Sequence, residues 1–390
     1  VKIGIDRIGF ATTNKYLDLD ELANARGVDP NKFKIGIGQN KMAVADMTED
    51  IVTLAINSTL EYLDDVDLAK LGLLIVGTES GIDQSKSASL FVKEALNLPN
   101  EIRTFEVKEA CFGATAGLMM ARDYVRAHPN HTAIVIGSDI ARYGLNTSGE
   151  VTQGAGAVSM FIAQEPKIIA FEEGHASYSE DINDFWRPNN FKTALVDGKY
   201  STEIYLKFFQ KTFDAYLNQN KLTADDFTAI TYHLPFTKMG LKANRLAVAE
   251  ASEDSKARLE ENFEYSTKYG REVGNLYTGS LYLSFLSLLE NAGANLQAGK
   301  RIGFFSYGSG AMGEFFAGEL VSGYEQYLNK ELHQQMLSER TKLSVAEYEN
   351  VFTETLKDLP EDIELSSDVT AGKYYFAGQN GFARNYKIKK

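Results

Sequence analysis

Short apolar runs bounded by glycine and polar turns alternate with longer segments of helical spacing along most of the 390 residues. Residues 2–8 predict a first strand. Leu73-Leu74-Ile75-Val76, running into Gly77-Thr78-Glu79-Ser80, predicts a fully buried one. Residues 103–107, 132–137 and 157–162 predict three more. Between them, residues 19–27 read as a short helix capped by Asp18 or Asp20, and residues 48–63 as an amphipathic helix with Asp50 in its first turn. Residues 85–96 predict a further helix, and Leu118, Met119, Ala121 and Val125 mark another. Ile35-Gly36-Ile37-Gly38-Gln39 is a glycine-rich turn with no dinucleotide fingerprint after it. Strands alternating with helices imply βαβ units and a largely parallel sheet covered on both faces.

The plan then repeats. Ala229-Ile230-Thr231-Tyr232-His233 matches the strand ending at Thr78-Glu79. Arg271-Glu272-Val273-Gly274-Asn275 and its apolar helix match Val107-Lys108-Glu109-Ala110-Cys111 and the helix that follows. Ile302-Gly303-Phe304-Phe305-Ser306 matches the strand at Ile134, and Gly308-Ser309-Gly310-Ala311 matches Gly154-Ala155-Gly156-Ala157. Duplication predicts two βαβαβ halves, residues 1–165 and 166–323, related by a pseudo-twofold axis. Residues 172–200 read as an irregular excursion between them. Residues 324–390 read as a helical and irregular tail, with a capping box at Ser344-Val345-Ala346-Glu347 and no candidate chemistry. Ligands in open α/β sheets sit at strand ends, so Glu79, Cys111, His233 and Asn275 are expected to converge.

The formal charge of −13 makes the chain a poor nucleic-acid binder. A single cysteine allows no intrachain disulfide, no apolar run suffices to cross a membrane, and the first residues read as a strand rather than a signal peptide; the expected location is the cytoplasm. No histidine has a carboxylate or cysteine spaced for a metal, so none is expected, and His128 and His131 should be exposed.

Cys111 should lie where an extended segment turns into the first turn of a helix, where free N–H groups and the helix dipole favour a thiolate. Its amide and one from Gly308-Ser309-Gly310 could form an oxyanion hole. Glu79, at a strand end beside an apolar pocket, should have a raised pKa suited to a base that later acts as an acid. Lys238 and Lys242 make a local basic face suited to phosphates. Taken singly, each residue also has a structural reading: Cys111 as a small buried hydrophobe, Glu79 as a surface carboxylate, His233 as a core histidine, Asn275 as a helix cap, the lysines as a solvated face.

The words Gly77-Thr78-Glu79-Ser80, Lys108-Glu109-Ala110-Cys111-Phe112-Gly113-Ala114-Thr115, Gln153-Gly154-Ala155-Gly156-Ala157, Phe185-Trp186-Arg187-Pro188, His233-Leu234-Pro235-Phe236-Thr237-Lys238, Val273-Gly274-Asn275-Leu276-Tyr277-Thr278 and Phe305-Ser306-Tyr307-Gly308-Ser309-Gly310 together resemble the thiolase superfamily. Within it they resemble the bacterial-type 3-hydroxy-3-methylglutaryl-CoA synthases, with no departure at a reactive position. The resemblance implies a thiolase-like α/β fold layered α-β-α-β-α and an acyltransferase of the mevalonate route. Acetyl-CoA would acetylate Cys111, and the acetyl carbanion would attack acetoacetyl-CoA. Hydrolysis would then release 3-hydroxy-3-methylglutaryl-CoA. It gives Glu79 the acid/base role and has His233 hold the acetoacetyl group. Lys238 and Lys242 match CoA-contacting positions, and Tyr143, Thr152, Ser201, Asn275 and Ser309 match positions around the acyl pocket. It implies coenzyme A thioesters as substrates, no separate cofactor, and a homodimer. A ketoacyl synthase is disfavoured by Glu79, which a decarboxylative condensation does not need. A relative acting on carrier-protein-bound acetoacetyl groups in polyketide β-branching shares these residues. A non-catalytic shell would have no need of Cys111, Glu79 and His233 together.

Overall fold

The computed structural model describes residues 1–366 and 372–389. Its centre is a nine-stranded sheet: β1 (Ile3–Thr12), β2 (Leu71–Gly77), β3 (Arg103–Val107), β4 (Thr132–Ala141), β5 (Gly154–Gln164), β6 (Ile169–Ser179), β7 (Ala229–Tyr232), β8 (Arg301–Gly308) and β9 (Met312–Leu320), in the order β7-β8-β9-β6-β1-β5-β4-β2-β3. The first half contributes β3-β2-β4-β5-β1 and the second β7-β8-β9-β6, in matching order. They join through a short ladder pairing Gly4 with Ala170 and Ile5 with Ile169.

The sheet is mixed, not largely parallel. Only β2–β3, β2–β4 and β7–β8 pair parallel. β5 and β9 return antiparallel to their neighbours β4 and β8. A parallel return needs a crossover of a dozen or more residues, usually helical; the loops into β5 and β9 carry no such helix. The repeat is also incomplete. The second half has no counterpart of β3. Helix Glu253–Thr267 packs along β7 instead, and the approach to Asn275 is a helical turn, Gly270–Val273, where the sequence match suggested a strand.

Six helices position the site: α1 (Ile51–Leu60), α2 (Gly113–Ala127), α3 (Gly198–Asn220), α4 (Thr237–Ala247), α5 (Glu253–Thr267) and α6 (Ser280–Asn291). Asp50 caps α1 with a full capping box, in which its carboxylate accepts from the Val52 and Thr53 amides. α1 covers β1, β4 and β5 on one face and α3 covers β6, β8 and β9. α2 packs on β2 and β4, α6 packs on β7 and β8, and the two meet in the middle layer. There Thr115 Oγ1 shares hydrogen bonds with Tyr282 OH and Ser306 Oγ, each at 2.7 Å. α6 is buried nearly all round, from Ser280 to Glu290.

The expected excursion over residues 172–200 is shorter than the sequence suggested, because β6 runs through to Ser179. The remainder is pinned by a two-stranded pair, Phe185–Trp186 with Leu195–Val196. The tail is not only helical. Helices Lys330–Ser338 and Val345–Thr355 are present, the second opened by the Ser344–Glu347 capping box. The end of the chain is a β-hairpin, Tyr374–Asn380 with Ala383–Ile388. Arg384 and Tyr386 of that hairpin bond the α1 cap Asp50 at 2.6 and 2.7 Å. Residues 367–371 and Lys390 of the predicted tail lie outside the described residues.

Candidate active site

Cys111 sits between β3 and the first turn of α2, as its sequence context predicts. Ala110 before it has φ +40, a strained value for a residue with a side chain, and Gly274 before Asn275 has φ +82. Both halves therefore take a positive φ at the residue before their key side chain. Gly308, at the end of β8, presses against this turn. A Cβ there would lie 2.5 Å from the Glu109 carbonyl oxygen, so only glycine lets the second half approach so closely.

The Cys111 thiol donates to Glu79 Oε1 at 3.1 Å. Glu79 is held by its own backbone. Its amide donates to Asp139 Oδ1 at 2.9 Å, and Thr78 Oγ1 donates to the same oxygen at 2.9 Å. The other oxygen of Asp139 accepts from the Thr278 amide at 3.1 Å and hydroxyl at 2.5 Å. Asp139, fully buried on β4, thus ties the Glu79 loop of one half to the helix start of the other.

Burial, with the Asp139 charge behind it, pushes Glu79 up to about 8, the direction expected of an acid/base carboxyl. Cys111 departs from expectation. Burial and the carboxylates of Glu79, Asp139 and Asp184 push its thiol well above the ordinary range. The helix dipole is outweighed, and the resting sulfur is a thiol. A nearby base must take its proton during attack, and Glu79 is in hydrogen-bond contact.

Tyr143 and Asn275 close the same chamber. Asn275 Nδ2 donates to Tyr143 OH at 3.3 Å. The Tyr143 ring packs edge-on to Phe185 and Tyr277, within the apolar cluster around Cys111 that also includes Ala141 and Ala194. Asn275 Oδ1 accepts from the Tyr277 amide and the Ser280 hydroxyl, so it caps a turn and faces the chamber at once. Ser201, near the start of α3, donates to Asp184 Oδ2 at 3.3 Å. Asp184 also accepts from Tyr307 OH at 2.6 Å and from the Gly310 amide at 3.0 Å. That bond removes Gly310 from the expected oxyanion hole. Gly308 lies inside the β8–β9 ladder, which leaves the Ser309 amide as the candidate partner of Cys111 N–H.

His233 follows β7 and is buried. Its amide donates to Phe305 O at 2.8 Å and its carbonyl accepts from Tyr205 OH at 2.7 Å. Its ring is not that of a satisfied core histidine, because Nδ1 is buried with no partner. Burial pushes the imidazole down to about 3, so it is neutral. Lys238, half-buried, and Lys242, exposed, share one face of α4. Thr152, in the short turn Glu150–Thr152, hydrogen-bonds the Gly149 carbonyl, and no bond ties it to Cys111 or Glu79. His128 and His131 are exposed, and among the described residues no cluster of three His, Cys, Asp or Glu could hold a metal.

Asp139, Asp184, Arg142 and Arg187 carry much of the site's electrostatics and were not assigned roles from the sequence. An aspartate inside the apolar run from Thr132 to Ala141 was the available signal, since an unpaired buried carboxylate is costly. Among the described residues no helix is long and apolar enough to cross a membrane.

The family model for the hydroxymethylglutaryl-coenzyme A synthase N terminal matches residues 1–167, and that for the C terminal matches 169–263 and 243–389. A hydroxymethylglutaryl-CoA synthase of Enterococcus faecalis is 47% identical over 385 residues, covering 99% of each chain. The polyketide biosynthesis 3-hydroxy-3-methylglutaryl-ACP synthase PksG of Bacillus subtilis is 31% identical, over 90% of this chain and 88% of its own. A crystal structure of an HMG-CoA synthase complexed with CoA superposes with a TM-score of 0.96 at 39% identity, covering both chains completely. With two matched halves, a thiol–carboxyl pair between them and these relatives along its whole length, the chain belongs to the hydroxymethylglutaryl-coenzyme A synthase family.

Proposed function

We propose that the protein condenses acetyl-CoA with acetoacetyl-CoA and water to give 3-hydroxy-3-methylglutaryl-CoA and CoA. The observation that carries this is the 3.1 Å contact between the Cys111 thiol and a Glu79 carboxyl whose pKa is pushed up to about 8. Cys111 attacks the acetyl thioester as its proton passes to Glu79, and CoA leaves with that proton. Glu79, again ionised, removes a proton from the acetyl methyl. The thioester keeps that methyl acidic, and amide N–H groups at Cys111 and Ser309 support the enolate oxygen. The enolate attacks the ketone of acetoacetyl-CoA, the alkoxide takes a proton, and water hydrolyses the Cys111 thioester.

Neutral His233 serves as a hydrogen-bond donor to the acetoacetyl ketone. With Nδ1 buried and unpartnered, the cheaper tautomer carries the proton on Nε2. His233→Ala is therefore expected to raise KM for acetoacetyl-CoA at least about tenfold, the scale of one buried hydrogen bond. Steady-state kinetics with acetyl-CoA saturating checks it, and an unchanged KM removes His233 from this role.

Lys238 and Lys242 on α4 supply the cationic face for the CoA phosphates. Thr152, Ser201, Tyr143, Asn275 and Ser309 are assigned to the walls of the acyl and pantetheine passage. No further cofactor enters the reaction. The mevalonate route, a cytoplasmic location and a homodimer built on the exposed edge strand β3 belong to the same reading. The higher identity to the CoA-named relative favours CoA over a carrier protein as the carrier of the acetoacetyl group. Product analysis after mixing the protein with both thioesters is the test. 3-Hydroxy-3-methylglutaryl-CoA is expected, and rates with acetoacetyl-CoA should exceed those with an acetoacetyl carrier protein. Absence of that product sinks the assignment.

A further inference from the structure

Two guanidinium groups share a cleft with Glu79 and have no partner among the described residues. Arg142 directly follows β4, and Arg187 directly follows the Phe185–Trp186 strand. Both line a cleft of about 1180 Å³ whose inner wall includes Thr78 and Glu79. The Arg142 backbone is fixed: its amide donates to Tyr277 OH at 3.3 Å and its carbonyl accepts from the Ala194 amide at 3.1 Å. Among the described residues, neither guanidinium makes an ion pair, hydrogen bond or ring contact. Three other cations of the same cleft are ion-paired, Arg384 to Asp50, Lys192 to Asp358 and Lys357 to Glu354, and Lys86 lies over the Phe91 ring, while Lys108 at its edge makes no ion pair among the described residues. Burial, and after it the Arg187 charge, pushes Arg142 down to about 10. Two adjacent like charges, one of them desolvated, are costly unless an anion is shared between them.

The proposed reaction, on which this inference rests, creates one new anion. Water adds to the carbonyl of the Cys111 thioester and the C–S bond breaks. One water proton goes to the sulfur, the other leaves through Glu79, and a carboxylate remains. It forms where the charges acting on Cys111 are the carboxyls of Glu79, Asp139 and Asp184. The cation acting on Glu79 is Arg187. Apolar Ala141 and Phe185, each next in sequence or nearly so to one of the arginines, belong to the cluster around Cys111. We infer that Arg142 and Arg187 form the subsite that receives the newly made carboxylate of the product. Planar guanidinium groups suit it, because each offers paired donors to a carboxylate.

The test compares binding of 3-hydroxy-3-methylglutaryl-CoA with 3-hydroxy-3-methylbutyryl-CoA, which lacks only the carboxylate. The full chain should prefer the first. Arg187→Met, and separately Arg142→Met, should cut that preference by about tenfold to a hundredfold, the scale of a charge-assisted hydrogen bond. Affinity for CoA itself should not change, which also reports an intact fold. Equal binding of the two thioesters by the unaltered protein overturns the proposal, as does a preference that survives both substitutions. If a carboxylate from a second copy of the chain meets the arginines instead, the unaltered protein shows no preference and Arg187→Met weakens self-association in sedimentation. A chain that makes no product from acetyl-CoA and acetoacetyl-CoA fails the reaction assignment, while this binding comparison still reads out the subsite.

Discussion

Glu79→Ala is expected to leave a protein that still takes up acetyl on Cys111 yet forms 3-hydroxy-3-methylglutaryl-CoA at least about a thousandfold more slowly, within the range for a positioned general acid/base. The two steps should separate for an electrostatic reason. Glu79 is a leading contributor, after burial, to the raised pKa of the Cys111 thiol. Removing the carboxyl takes away a proton acceptor but also brings the thiolate within easier reach, so acetylation is partly compensated. Carbanion formation has no such compensation, because the methyl proton loses the base assigned to it. Intact-protein mass after incubation with acetyl-CoA reads the first step and turnover with both thioesters reads the second. Normal turnover defeats the assignment. The pH profile gives an independent check. With Glu79 pushed up to about 8, the basic form accumulates as pH rises through that value. The rate of Cys111 acetylation should climb and level off across that interval in the unaltered protein, and Glu79→Gln should remove the inflection near 8.

The site was legible in the sequence where chemistry needs a residue type that folding does not. A lone cysteine at a strand-to-helix turn, a glutamate after a buried strand and a histidine before Pro235 each stood out. The duplicated plan placed them at equivalent tips. Backbone turns before Cys111 and Asn275 both have positive φ, which is the repeat expressed in geometry. Strand direction was harder to read. β5 and β9 have the same apolar composition whichever way they run, and only the length and helix content of the connecting loops decide pairing sense. The missing counterpart of β3 was hidden similarly: residues 270–273 are compatible with either state, and the packing of α5 along β7 settles it.

Electrostatics escaped for another reason. The thiolate expected at Cys111 followed from a local argument, the helix dipole, which is worth about 0.3–1 kcal/mol when exposed. What overrides it is burial together with Asp139 and Asp184, which lie 28 and 73 positions further along the chain. Arg187 sat inside a recognised word, but only the fold shows that its neighbour in space is Arg142.

The same lesson applies to His333, which the sequence left without a role. It is fully buried between two carboxylates, with Nδ1 bonding Glu290 Oε1 at 2.9 Å and Nε2 bonding Glu61 Oε2 at 2.9 Å. Tyr269 OH donates to Glu290 as well. Glu61 ends the α1 segment, Glu290 lies on α6 and His333 on the tail helix Lys330–Ser338, so one imidazole ties the tail to both halves. Burial alone would push His333 down. The hydrogen bonds the ring donates to Glu290 and Glu61 outweigh burial and hold it up at about 10. A group whose pKa is higher folded than unfolded stabilises the fold fully below its unfolded value, near 6.5, and loses that contribution as pH climbs through about 10. Urea midpoints should therefore fall between pH 7 and 10 more in the unaltered protein than in His333→Phe. His333→Ala leaves two buried carboxylates facing each other and should cost about 3–5 kcal/mol, the scale for breaking a buried ion pair. If His333→Ala unfolds at the same urea concentration as the unaltered chain at pH 7, the imidazolium is not holding the tail in place.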